Sequence, residues 1–103
     1  MLEVEGQGTE EDRVLRVRGV VDLESSPRLW SALEQALGGT RRLRLHLGEV
    51  SYIDSSGIAT LVKGLKYAQR LSVAYAILEP SGQVLSVIKL AQLDRLFAIE
   101  KAE

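Results

Sequence analysis

The sequence predicts an α/β protein: a mixed, mostly parallel sheet of four or five strands with about three main helices, in the order β-β-α-β-α-β-α-β. Three observations carry this. Leu29, Trp30, Leu33, Ala36 and Leu37 recur at helical spacing behind Ser26-Pro27. Leu43, Leu45 and Leu47 alternate with Arg42, Arg44 and His46, the period of a strand with one buried face. Val73-Ala74-Tyr75-Ala76-Ile77-Leu78 is an almost unbroken apolar run, as a central strand covered on much of both faces requires.

Taken in order, residues 2–5 and 14–18 read as short strands joined through the polar turn around Gly6 and Gly8. Gly19-Val20-Val21-Asp22 is expected to leave the second strand. Ser26 is a good N-cap, Pro27 suits the first helical position, and Gly38-Gly39 ends the helix. Trp30 is read as a core anchor. A strand from residues 41–47 is expected to end in Gly48-Glu49-Val50-Ser51-Tyr52-Ile53. A second helix should run from Ser55 to about Arg70, buried through Ile58, Leu61, Val62, Leu65 and Ala68. Pro80-Ser81 opens a third, with Val84, Leu85, Ile88 and Ala91 inward. Residues 96–99 form a last short strand, and residues 100–103 a frayed tail. After the opening hairpin, strands and helices alternate, which favours parallel pairing through right-handed crossovers.

Composition narrows the function. The 103 residues suit one domain spanning 1–103. With 13 Lys+Arg against 14 Asp+Glu, the net charge of −1 argues against a nucleic-acid-binding surface and a polybasic membrane patch. The absence of cysteine removes disulfides, thiolate nucleophiles and cysteine zinc sites. His46 is the only histidine, so no metal cluster is expected, and a surface or half-buried structural role explains it. Met1-Leu2-Glu3-Val4-Glu5 carries no basic n-region, and no apolar run approaches the ~18 residues of a membrane span. A cytoplasmic location without direct membrane insertion is therefore expected. No Gly-x-x-x-x-Gly-Lys loop is present, and Ile53-Asp54-Ser55-Ser56-Gly57 lacks the first glycine of a Gly-x-Ser-x-Gly elbow. Neither a cofactor nor a catalytic residue is expected.

The informative stretch is Val50-Ser51-Tyr52-Ile53-Asp54-Ser55-Ser56-Gly57-Ile58-Ala59, a strand-to-helix turn of small polar residues. Asp54, Ser55 and Ser56 can each accept from free first-turn N–H groups. Capping alone explains such a turn. A phosphate on Ser55 would also sit well there, at the positive end of the helix dipole. It would bring roughly −1.5 to −2 charge beside Asp54.

Asp54-Ser55-Ser56-Gly57 behind Val50-Ser51-Tyr52-Ile53 resembles the signature of STAS domains, above all bacterial anti-sigma factor antagonists. Gly19-Val20-Val21-Asp22 with Ser25-Ser26-Pro27, and Leu90-Ala91-Gln92-Leu93-Asp94-Arg95-Leu96-Phe97, look like two further family segments in the right order. Two places depart from the pattern: Arg70-Leu71-Ser72-Val73 replaces a Gly-Gly-like turn, and Gly57-Ile58-Ala59 replaces Gly-Leu-Gly. The resemblance implies a partner-binding module rather than an enzyme. It implies that an anti-sigma factor serine kinase would phosphorylate Ser55, that the unphosphorylated form would bind that kinase, and that a phosphatase would restore it. It also implies a partner surface of Asp22, Asp54, Ser56, Gly57, Ile58, Thr60 and Lys63. The alternative it implies is the small cytosolic subunit of a phospholipid ABC transporter, gripping the permease.

Overall fold

A computed structural model describes residues 1–101. The elements are β1 (Leu2–Gly8), β2 (Arg13–Val21), α1 (Ser26–Leu37), β3 (Arg42–Ile53), α2 (Ser55–Leu71), β4 (Ala74–Leu78), α3 (Gly82–Leu90) and β5 (Ala98–Glu100). The expected order holds. The five strands lie in the order β1-β2-β3-β4-β5; β1 pairs antiparallel to β2, and the other three pairings are parallel.

All three crossovers step in the same direction along the sheet, so right-handed connections place every helix on one face. That face buries Leu15, Val17, Leu43, Leu45, Leu47 and Ile77 against Leu29, Leu33, Leu37, Leu61, Val84 and Ile88. The opposite face carries the alternate residues, and there charge replaces helices. Arg16 and Arg18 both reach Glu49, at 3.3 Å each, and Arg44 bridges Asp12 at 3.0 Å and Glu100 at 3.7 Å. The long side chains lie over the sheet; the heads of Arg16 and Arg18 stay wet, whereas Arg44 Nε is buried. Arg13 points to the helix side instead, where Nη1 donates to Ala36 O at 2.8 Å and caps α1.

Several boundaries differ from expectation, each for a physical reason. β2 continues through Gly19-Val20-Val21, and β3 through Gly48 to Ile53. β3 holds one extra residue between the pairs Arg16↔His46 and Arg18↔Glu49, and another between Gly19↔Val50 and Val20↔Tyr52. These bulges shift the buried positions from Leu43, Leu45 and Leu47 to Val50 and Ile53. Period 2 gives way to steps of three, so the second half does not read as strand. The N-cap of α1 is Ser25, not Ser26, because Ser25 closes a turn with Asp22 one residue earlier. Trp30 is less buried than expected: it is half-buried and packs against the margin of the core, which the leucines of α1 fill. Ala91 is exposed at the C-cap of α3 rather than inward. Glu100 belongs to β5, paired with Leu78, rather than to a frayed tail. Of the expected tail, residues 102–103 lie outside the described residues.

Candidate functional site at the start of the second helix

The loop from β3 into α2 is built by its own side chains. Asp54 is the N-cap, in extended conformation, and Oδ1 accepts from Ser56 N at 3.0 Å and Gly57 N at 3.2 Å. The Ser56 hydroxyl donates to the same oxygen. These donors, the Ser56 hydroxyl foremost, hold the Asp54 carboxyl below its ordinary range. Gly57 is required by packing. A Cβ there would stand 2.5 Å from Ile53 Cγ1 and 2.7 Å from Val21 Cγ1. The first turn of α2 thus rests directly on the ends of β2 and β3.

A second loop supports the first. Asp22 N donates to Ser25 Oγ, and Ser25 N to Asp22 Oδ1, each at 3.0 Å. Ser26 Oγ donates to Asp22 O at 2.6 Å and lies 3.4 Å from Ser56 Oγ. Asp54 N donates to Val21 O at 3.2 Å. The starts of α1 and α2 therefore meet as one polar cluster, which brings Asp22, Asp54, Ser55 and Ser56 together.

Within that cluster the two serines differ. The Ser56 hydroxyl is half-buried and committed to Asp54. Ser55 is exposed, and its hydroxyl makes no side-chain hydrogen bond among the described residues. The other residues implied for partner contact separate by burial. Gly57, Ile58 and Thr60 are buried; Ile58 packs into the core and Thr60 Oγ1 donates to Ser56 O at 2.9 Å. Lys63 is exposed two turns along α2, with Nζ 4.2 Å from the centre of the Trp30 ring.

One positioning residue escaped the sequence reading. β4 ends at Leu78, opposite His46, so the last residues of β3 extend past their β4 neighbour. There Gln83 of α3 takes the place of a strand: Oε1 accepts from Ile53 N at 2.8 Å, and Nε2 donates to Ile53 O at 3.1 Å. A glutamine in a short helix carries no signal of this role.

The arrangement leaves the Ser55 hydroxyl exposed at the start of α2, away from the imidazole of His46. His46 Nδ1 accepts from Gly48 N at 3.4 Å, and Nε2 faces Glu79 at 3.9 Å, so neither nitrogen serves Ser55. Among the described residues there is no group of His, Cys, Asp or Glu fit for a metal ion. Nor is any helix long and apolar enough to cross a membrane.

Comparison with known proteins bears on the fold. The fold is similar to that of the unphosphorylated anti-sigma factor antagonist SpoIIAA, with a TM-score of 0.81 at 20% identity over 100% of this chain and 89% of that one. It is similar to the Bacillus cell fate determinant SpoIIAA in its phosphorylated form, with a TM-score of 0.75 at 19% identity over 100% and 92%. An anti-sigma factor antagonist from Mycobacterium paratuberculosis gives a TM-score of 0.88 at 18% identity over 97% and 86%. At such identities these likenesses establish the fold. The family follows from a model described as "Mlab, STAS domain", which matches residues 5–99. The chain belongs to the STAS domain family.

Proposed function

We propose that the chain is an anti-sigma factor antagonist, a regulatory binding module that engages an anti-sigma factor kinase and is switched off by phosphorylation of Ser55. The observation that carries the reading is the contrast between the two serines. Ser55 presents a free, exposed hydroxyl at the first position of α2, whereas Ser56 is held by the cap. The kinase would transfer the γ-phosphoryl of ATP to Ser55 Oγ, release ADP and take up the hydroxyl proton. The product bears a dianion beside the ionised Asp54, on a turn anchored to β2 and β3. Such a turn changes its surface charge without rearranging the fold. Partner contact falls to Asp22, Asp54, Ser55, Ser56 and Lys63, while Gly57, Ile58 and Thr60 shape the turn from inside.

One finding favours a second reading, a cytosolic STAS subunit that binds the permease of a phospholipid ABC transporter. The model matching residues 5–99 is described by Mlab rather than by an antagonist. A single experiment separates the two. The purified protein and its Ser55→Ala variant are incubated with ATP, magnesium and each anti-sigma-type serine kinase of the source genome, and analysed by mass spectrometry. The antagonist reading expects one phosphate on Ser55, none on Ser55→Ala, and loss of kinase binding on modification. No phosphate from any such kinase, with a permease and an ABC ATPase recovered from native membranes, would select the transporter subunit.

A further inference from the structure

The charges of this protein divide into two kinds. On the open sheet face Arg16, Arg18, Arg42 and Arg44 all pair with carboxylates. On the outer side of α1 and α2, by contrast, lies a cleft of about 600 Å³ lined by Trp30, Lys63, Lys66, Tyr67, Gln69 and Arg70. None of its three cations joins an ion pair among the described residues. Instead they flank aromatic surface. Lys63 Nζ sits 4.2 Å from the centre of the Trp30 ring, the Arg70 guanidinium 5.5 Å from that of Tyr67, and the two rings meet edge to face at 5.8 Å.

This pattern works against the helix that carries it. Lys63 and Lys66 are three apart and Lys66 and Arg70 four apart, the spacings at which like charges repel along a helix. The helix dipole compensates a cation in the last turn, such as Arg70, but not Lys63 in the middle of α2. An anion between the three would relieve the repulsion, and the open edges of the half-buried Trp30 and Tyr67 rings would take an apolar side chain.

We infer that the cleft is a docking site for an acidic segment of a partner protein, carboxylates on the cations and an apolar residue against Trp30 and Tyr67. Charge complementarity favours that occupant over a nucleic acid. The three cations span only about 10 Å of helix, whereas a nucleic-acid surface needs a wider basic field. The neutralised arginines of the sheet face do not extend it. The inference stands apart from the Ser55 switch, since the cleft lies two to four turns further along α2 and shares only Lys63 with the partner surface proposed there.

Trp30 is the only tryptophan, so its fluorescence reports on the cleft alone. The probes are a short synthetic peptide of glutamates around a leucine pair, its lysine counterpart, a single-stranded oligonucleotide and inorganic phosphate. The acidic peptide is expected to give a saturable change in Trp30 emission that weakens with salt. Lys66→Glu and Arg70→Glu should each lower its affinity about five-fold. Ser55→Ala should leave it unchanged. Lys66→Glu should also raise the melting temperature, because it replaces two repulsive pairs by attractive ones. That gain in stability with a loss of binding distinguishes a docking site from a structural surface. Silence of Trp30 toward the acidic peptide overturns the inference. So does an equal or stronger response to the lysine peptide, the oligonucleotide or phosphate, and so does unaltered affinity in both charge reversals.

Discussion

Gly57→Ala is the sharpest test of how the Ser55 turn is seated. The added methyl would lie 2.5 Å from Ile53 Cγ1, 2.7 Å from Val21 Cγ1 and 3.0 Å from Ile53 Cδ1, where ordinary contact begins at 3.4 Å. Val21 is 0% and Ile53 1% exposed, so neither side chain has solvent to move into. Either α2 lifts by nearly an ångström at its first turn, or two packed side chains leave their rotamers. Overpacking of this kind costs about 1–3 kcal/mol. Alanine recovers up to about 1 kcal/mol through its better helix propensity. A net loss of about 1–2 kcal/mol lowers the melting temperature of a domain this size by about 5–15 °C. Thermal unfolding followed by circular dichroism measures it. Repeating the substitution in a Val21→Ala background removes one of the opposing atoms and should recover part of the loss. A Gly57→Ala protein as stable as the parent, or a penalty identical in both backgrounds, would refute the close seating of α2 on the two strand ends.

Two further predictions concern the groups that hold the turn. Gln83→Ala strips the Ile53 amide and carbonyl of their partners, which costs about 1–3 kcal/mol where such groups stay out of water. Hydrogen exchange at the Ile53 amide should accelerate beyond any global change, and exchange no faster than in the parent would remove Gln83 from its positioning role. Asp54 makes the cap dependent on acidity. Its carboxyl is held below the ordinary 3.8, so its contribution is complete above that value and disappears as pH falls through the lower, folded one. The melting temperatures of the parent and of Asp54→Asn should therefore differ near neutrality and converge between about pH 5 and pH 2. Glu49, lowered by the hydrogen bond from Arg16, titrates alike in both proteins and cancels from the difference. A constant separation across that range would refute the charged cap.

The architecture was legible because helices and parallel strands write different periods. Leu29, Leu33, Ala36 and Leu37 could only be one helical face, and Leu43, Leu45 and Leu47 only one strand face. The second half of β3 was hidden because two bulges convert its buried step from two residues to three, and Gly48 and Ser51 read as turn chemistry. The departure at Arg70-Leu71-Ser72-Val73 resolves similarly. Ser72 itself adopts φ 58°, the left-handed cap that a glycine fills most easily. Asp54 and Ser55 were legible as a helix start. The pairing of Ser26 with Ser56 and the clamp from Gln83 were not, because both depend on contacts 30 residues apart in the chain. Trp30 packs against the core but stays half-buried for a related reason: helical spacing identifies a face, but not which edge of it meets solvent.

A cap and a switch make opposite demands on a serine, and on the proposed function the Asp54-Ser55-Ser56 turn would meet them by dividing the work. A capping oxygen must be committed to backbone or side-chain partners; a phosphate acceptor must be free of them and open to a second protein. Had Ser55 been the cap, phosphorylation would remake the hydrogen bonds of the first turn of α2 along with its charge. Because Asp54 caps and the Ser56 hydroxyl is committed to it, Ser55 can gain a dianion while the hydrogen bonds that build the turn stay in place. The effect of the phosphate then falls on whatever docks against the start of α2. Under the proposed function, a phosphorylated protein retains its helix content and melting behaviour while losing its partner, a combination that a merely structural serine could not produce.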